Sequence, residues 1–312
     1  TALTIGSVAI PQMIRFGYEP KAAYGLVAAG GTLGILIPPS GPMVLYGVTT
    51  DTSIGGLFMA GIVPGIMLGA SLWVTWWWLA RRELVQVPPR ETMREIGVAM
   101  REATWALVMP LIVVFGLKFG VFTPTEAAVV AAVYALFIST FVYRELGLKD
   151  LYPLFVSAAK TSAVVMFLVA AAMVSAWLIT VANLPAQLID ILQPMLDSPR
   201  LLMFTIMVII IVIGTALDMT PTILLLTPVL MPVVKAAGID PVYFGVLFII
   251  NCAIGLITPP VGTVLNAVAG VGKISMDEVT RGVMPFMLAQ FTIMFAMVAF
   301  PALVMVPARW FY

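Results

Sequence analysis

The chain has 312 residues, of which 62% are hydrophobic and 10% charged, with a net charge of +1. An ordinary soluble domain carries about a quarter charged residues, so this composition leaves too little polar surface for a water-soluble fold and points to a membrane protein. The net charge says nothing about nucleic acid and there is no basic run of the kind that tracks phosphates, the single Cys252 excludes a disulfide framework within the chain or a multi-cysteine metal centre, and the absence of histidine removes the commonest metal ligand and general base.

A membrane span needs about twenty apolar residues between charges. The first apolar piece, Thr1 to Ile14, is too short and reads as half of a re-entrant hairpin. No secretory leader is visible and Thr1 stands inside an apolar segment, so an N-terminal portion is expected to be missing. Ala22 to Thr50 is long enough to cross but is interrupted at Pro38-Pro39. Gly55 to Ala80 closes on Trp73, Trp76, Trp77 and Trp78 followed by Arg81-Arg82, an aromatic belt beside cytoplasmic arginines. Residues 81–104 form the one long polar stretch, where Met93, Ile96, Met100 and Ala103 repeat at helical spacing opposite Glu91, Arg94, Glu95 and Arg101. That pattern predicts an amphipathic connector lying on the membrane surface.

Two spans follow, Trp105 to Val121 and Pro124 to Tyr143, joined by a tight turn at Phe122-Thr123. Glu126 favours the start of the second and is assigned no transport role. Ala158 to Ala182 predicts another span, with Lys160 snorkelling to the inner surface, and Leu184 to Asp197 a shorter surface helix. A hairpin is expected over Leu201 to Val234, a broken span over Pro241 to Gly272, and a last span over Val283 to Val306 before Trp310-Phe311-Tyr312. If the hairpin enters and leaves by one face, only Lys118, Arg200, Lys235 and Arg309 lie outside and every other lysine and arginine lies inside, as the positive-inside rule asks.

Two stretches nearly repeat: Gly34-Ile35-Leu36-Ile37-Pro38-Pro39-Ser40-Gly41 and Gly255-Leu256-Ile257-Thr258-Pro259-Pro260-Val261-Gly262. One ungapped offset of 221 residues, Pro259 against Pro38, also pairs Pro11 with Pro232, Gly17 with Gly238, Glu19 with Asp240, Pro20 with Pro241, Gly61 with Gly282 and Pro64 with Pro285. Most of these are Gly and Pro, the residues that set backbone shape. The copies run in opposite directions in the topology above, which is an inverted repeat with broken helices, a secondary-transporter architecture. The chain then reads as one all-α transmembrane domain over 1–312: a partial first repeat over 1–80, the connector over 81–104, and the second inverted repeat over 105–312.

The motifs at 31–40, 238–241 and 251–262 resemble the large membrane (M) subunit of tripartite ATP-independent periplasmic (TRAP) transporters, and the resemblance runs over essentially the whole chain. It implies Na+-driven symport of a carboxylate, such as a C4-dicarboxylate or a sialic acid, across a bacterial inner membrane by an elevator-type motion. It also implies a small membrane (Q) subunit and a periplasmic substrate-binding protein (P) as partners. The family's N-terminal spans and the serine-rich tip of its first hairpin have no counterpart here.

Each break leaves carbonyls without partners at the end of one half-helix and free N–H groups at the start of the next. Carbonyl ends suit a hard cation and the positive helix end suits a carboxylate. The expected metal site joins backbone oxygens of Gly255, Thr258 and Pro259 with Asn251, facing Asp218 and Thr215 around one Na+. A pseudo-symmetric site uses Thr32, Gly34, Ile37 and Pro38, and Ser40, Gly41, Gly262 and Thr263 approach the substrate. Asp218 is the one carboxylate this topology sets deep in the membrane, where function is the default reading and capping the bland one. For Asn251, ligand and interhelical glue remain equal alternatives. A stand-alone sodium/dicarboxylate symporter of related fold is the neighbouring reading. An intramembrane protease lacks a second aspartate or a serine-based dyad, and a passive channel has no need of carbonyl-rich breaks.

Overall fold

A computed structural model describes residues 2–81, 92–272 and 274–311, and the elements among them are helical. The chain divides into two bodies, one comprising Thr1–Pro88 with Ala176–Tyr312 and the other Pro89–Ser175. In the first body α1 (Ala2–Arg15), α2 (Pro20–Leu33), α3 (Gly41–Thr50) and α4 (Ile54–Ala80) precede the polar connector. The second body holds α5 (Met93–Lys118), α6 (Pro124–Phe137) with a π-helical turn at Ile138–Val142, and most of α7 (Leu148–Val181). The first body resumes with α8 (Leu184–Leu196), α9 (Pro199–Gly214), α10 (Met219–Ala236), α11 (Pro241–Gly255), α12 (Thr263–Gly272), α13 (Met276–Ala299) and α14 (Ala302–Phe311). Six described helices, α4, α5, α6 with its π turn, α7, α10 and α13, are long and apolar enough to cross a membrane.

The 221-residue offset reappears in the backbone. The helix starts at Pro20 and Pro241 correspond, the two interruptions fall over 34–40 and 256–262, and both Pro-Pro peptide bonds are cis. The turn before each copy closes in the same register: Tyr18 N–H donates to Met13 and Ile239 N–H to Val234, across Gly17 at φ 92° and Gly238 at φ 68°. A left-handed glycine ending a helix with this long-range bond is a Schellman closure, which only glycine enters at no steric cost. The packing exchanges partners between copies, since α1 lies against α12 and α10 against α3, while α2 packs on α13 and α11 on α4.

The core of the first body is α11, buried without interruption from Tyr243 to Gly255. A helix apolar on every side belongs inside, and this one is wrapped by α4, α9, α10 and α13. Glycines set the closest approaches. A Cβ on Gly25 would collide with the Gly282 carbonyl and one on Gly282 with the Lys21 carbonyl, so α2 and α13 touch backbone to backbone.

In the second body, capping boxes start α5 at Thr92/Glu95 and α6 at Thr123/Glu126. Phe122, in the turn between them, lies where a side chain on Gly116 would be. Tyr134 and Tyr143 donate to the carbonyls of Trp105 and Glu102 on α5 at 2.8 and 2.7 Å.

Three boundaries differ from the sequence reading. The split between a surface helix and a span at Trp105 is absent, and α5 runs unbroken from Met93. Nothing between Glu102 and Trp105 can end a helix, and residues 82–91 of the expected connector lie outside the described residues. The span expected from Ala158 begins at Leu148 and carries Lys160 on an exposed turn inside it. The last span is α13, shifted to Met276–Ala299: Ser275 caps its start, and Pro301, with no N–H to donate, separates it from α14.

Candidate functional site

The second break meets the tip of the α9–α10 turn. A Cβ on Gly255 would lie 3.2 Å from the Gly214 carbonyl, so glycines at both positions let the end of α11 touch the end of α9. Asp218 is the N-cap of α10, where its Oδ1 accepts from Met219 N–H at 2.9 Å. The same oxygen accepts from the Thr263 hydroxyl at 3.5 Å, a long contact to the first residue of α12. Asp218 therefore both caps and reaches across to the break. Thr215, in the same turn, donates its hydroxyl to the Val212 carbonyl at 2.7 Å.

Asn251 lies one turn before Gly255 and is 1% exposed. Its Nδ2 donates to the Met207 carbonyl on α9 at 2.7 Å, while its Oδ1 is buried without a partner. Half of the side chain is glue, and half is an unused acceptor that costs about 1–3 kcal/mol when left so. Gly255 O accepts from Thr258 N–H at 3.0 Å, which leaves its second lone pair, and the Thr258 hydroxyl donates to Ile254 O at 2.8 Å. Val264 N–H donates to Leu256 O across the gap, Gly262 turns with φ 46°, and Pro259 is half-buried.

The first break is tied differently. Thr32, 1% exposed, donates its hydroxyl to Ala29 O at 2.7 Å and accepts from Gln290 Nε2 at 3.0 Å. Ser40 is buried and its hydroxyl is spent as a cap: it donates to Ile35 O and accepts from Met43 N–H at 3.3 Å. Gly34, Ile37 and Gly41 are exposed, and Pro38 is buried. The structure thus sets the α9–α10 turn, with Thr215 and Asp218, against Gly255 and Thr263 of the second break, which also holds Thr258, Pro259 and Gly262, while Asn251 lies one turn earlier on α11 against Met207.

Gln290 was missed by the sequence reading. It is 1% exposed, ties α13 to α2 at the first break, and its Oε1 has no partner. The signal for it was a lone amide inside an otherwise apolar span.

The family model of the tripartite ATP-independent periplasmic transporter, DctM component, matches residues 1–303. The chain belongs to this family. The 2,3-diketo-L-gulonate TRAP transporter large permease protein YiaN of Escherichia coli (strain K12) is 51% identical over 306 residues, 98% of this chain and 72% of the relative. The sialic acid TRAP transporter large permease protein SiaM of Vibrio cholerae is 38% identical over 297 residues, 95% of this chain and 70% of that one. The isethionate TRAP transporter permease protein DctMQ of Oleidesulfovibrio alaskensis is 37% identical over 306 residues, 98% of this chain and 48% of that longer protein. The protein is therefore a TRAP large permease, a component of a tripartite transporter and not an enzyme, and a multi-pass protein of the inner membrane.

Proposed function

We propose that this permease takes up an organic acid by sodium symport, with two inverted copies alternating access in the elevator manner beside a small Q subunit and a periplasmic binding protein. The relatives' names give organic anions as cargo, 2,3-diketo-L-gulonate, sialic acid and isethionate, and the DctMQ name supports a Q-type partner. The observation that carries the reading is the closure of the hairpin tip onto the second break, Gly214 against Gly255 and Asp218 against Thr263, with an orphaned Asn251 oxygen one turn before Gly255.

Hard cations take oxygen ligands, and this donor set is oxygen throughout. Asn251 Oδ1, the carbonyls of Gly255, Thr258 and Pro259, and Asp218 with Thr215 would hold Na+, and the ion supplies the charge that makes closure depend on the gradient. Thr32, Gly34, Ile37 and Pro38 form the matching candidate set at the first break. The chain's own residues do the rest. Ser40 fixes the start of α3 behind Gly41, and Gly262 turns the backbone so that α12 begins at Thr263, which directs two positive helix ends to an anion.

The test is uptake by the full chain, reconstituted with its partner subunits and binding protein under an inward sodium gradient. Asp218→Asn keeps the cap but loses the charge, and uptake is expected to fall about tenfold or more with insertion intact. Wild-type sodium dependence in that variant overturns the assignment. Full uptake without the binding protein favours the stand-alone symporter.

A further inference from the structure

A cavity of about 200 Å³ lies where α9 and α11 begin and α13 ends, away from the hairpin tip. Met203, Tyr243, Val298 and Met305 give it an apolar wall, and Arg200 and Asp240 line it with opposite charges. Among the described residues neither charge forms an ion pair. Asp240 uses one oxygen, Oδ1, to cap Val242 and Tyr243 N–H.

The repeat shows what is unusual about this. The counterpart of Asp240 is Glu19, which pairs with Lys21 at 2.5 Å. The residue corresponding to Lys21 is Val242, so the second copy keeps the acid without the internal cation and faces it with Arg200 across a cavity. Opposite charges that share a cavity without bridging leave room for a ligand carrying both signs. The apolar wall requires that ligand to have an apolar part. The cavity also sits at the ends of apolar helices beside exposed Leu201, Phe204 and Phe300, the level at which lipid headgroups meet protein.

We propose that this cavity binds one aminophospholipid, with its phosphate on Arg200, its primary ammonium on the free oxygen of Asp240 and an acyl chain along Met203, Val298 and Met305. Arginine matches phosphate with paired N–H groups, and a primary ammonium offers the N–H donors that a quaternary one lacks.

The full chain, purified in detergent and stripped of lipid, is offered phosphatidylethanolamine, phosphatidylglycerol and phosphatidylcholine together, and retained lipid is read by native mass spectrometry. One phosphatidylethanolamine per chain is expected, preferred about tenfold over the other two. Asp240→Asn, which keeps the helix cap, is expected to abolish the preference over phosphatidylglycerol, and Arg200→Gln to weaken all three. Equal retention of the three lipids by the unmodified chain overturns the proposal, as does an unchanged preference in Asp240→Asn. Displacement of the lipid by soluble glycerophosphoethanolamine at comparable concentration also overturns it, because the ligand is then the headgroup alone.

Discussion

The two breaks share a backbone and almost nothing else. Gly34 and Gly255, Pro38 and Pro259, and the cis bonds after them coincide at one offset, yet each polar group at one break faces an apolar or absent side chain at the other. Thr32 and Gln290 lock the first break, and the corresponding residues are Ala253 and Gly69. Asn251 holds α9 at the second break, and its counterpart is Gly30. Ser40 caps α3, and its counterpart is Val261. A repeat keeps the residues that shape the chain, while the polar side chains around them are free to differ. The two breaks are then alike in backbone and unlike in side-chain chemistry.

The copies differ most in tolerance at a position they share. Gly61 and Gly282 correspond, but a Cβ on Gly61 would come within 2.6 Å of the flexible end of Met43 and 3.2 Å of the Leu36 carbonyl, a tight fit, whereas one on Gly282 would strike the Lys21 backbone carbonyl outright. A methionine tip can move and a helix backbone cannot without shifting α2. Gly282→Ala is expected to cost about 3 kcal/mol or more, or to abolish folding. Gly61→Ala should stay within about 1 kcal/mol, because alanine's helix propensity offsets the crowding. Thermal unfolding in detergent reads both, and equal costs would show that α2 and α13 can separate freely at this crossing.

The shape half of this comparison was legible in the sequence because Gly and Pro act locally. Pro38-Pro39, Pro259-Pro260, Gly17 and Gly238 announce their turns whatever surrounds them. The polar half was not, because a partner such as Gln290 reaches Thr32 across 258 residues of chain, through packing that no periodicity encodes. Asp218 was found for a local reason, a carboxylate in an apolar stretch, but its twofold use as cap and as contact to Thr263 depends on how the hairpin folds back. The boundary at Trp105 failed for the opposite reason. The change from polar to apolar composition there is a change of surroundings, and a helix crosses such a change without stopping.

The independence of the two breaks can be measured. Thr32→Val and Gln290→Leu should show a coupling of about 1 kcal/mol in a double-mutant cycle of unfolding free energies, since both remove one shared hydrogen bond. Thr32→Val with Asn251→Leu should be additive within about 0.5 kcal/mol, because those residues serve different breaks. A coupling between Thr32 and Asn251 as large as the first would join the two breaks into one network.

The smallest effect tests whether a cap belongs to only one copy. Ser40 accepts from Met43 N–H while donating to Ile35 O, so Ser40→Ala strips an orphan donor of its partner at the start of α3. The expected loss is about 1 kcal/mol, and only a few tenths for Ser40→Gly, because glycine suits the cap position without a side chain. Val261 is exposed and its side chain offers no acceptor, so Val261→Ala should change stability by less than about 0.5 kcal/mol. The α12 start relies instead on Gly262, whose φ of 46° turns the chain there. If the alanine variants at 40 and 261 lose the same stability, the second break has a cap that its own side chains do not reveal, and the two half-helix starts are not asymmetric in stability.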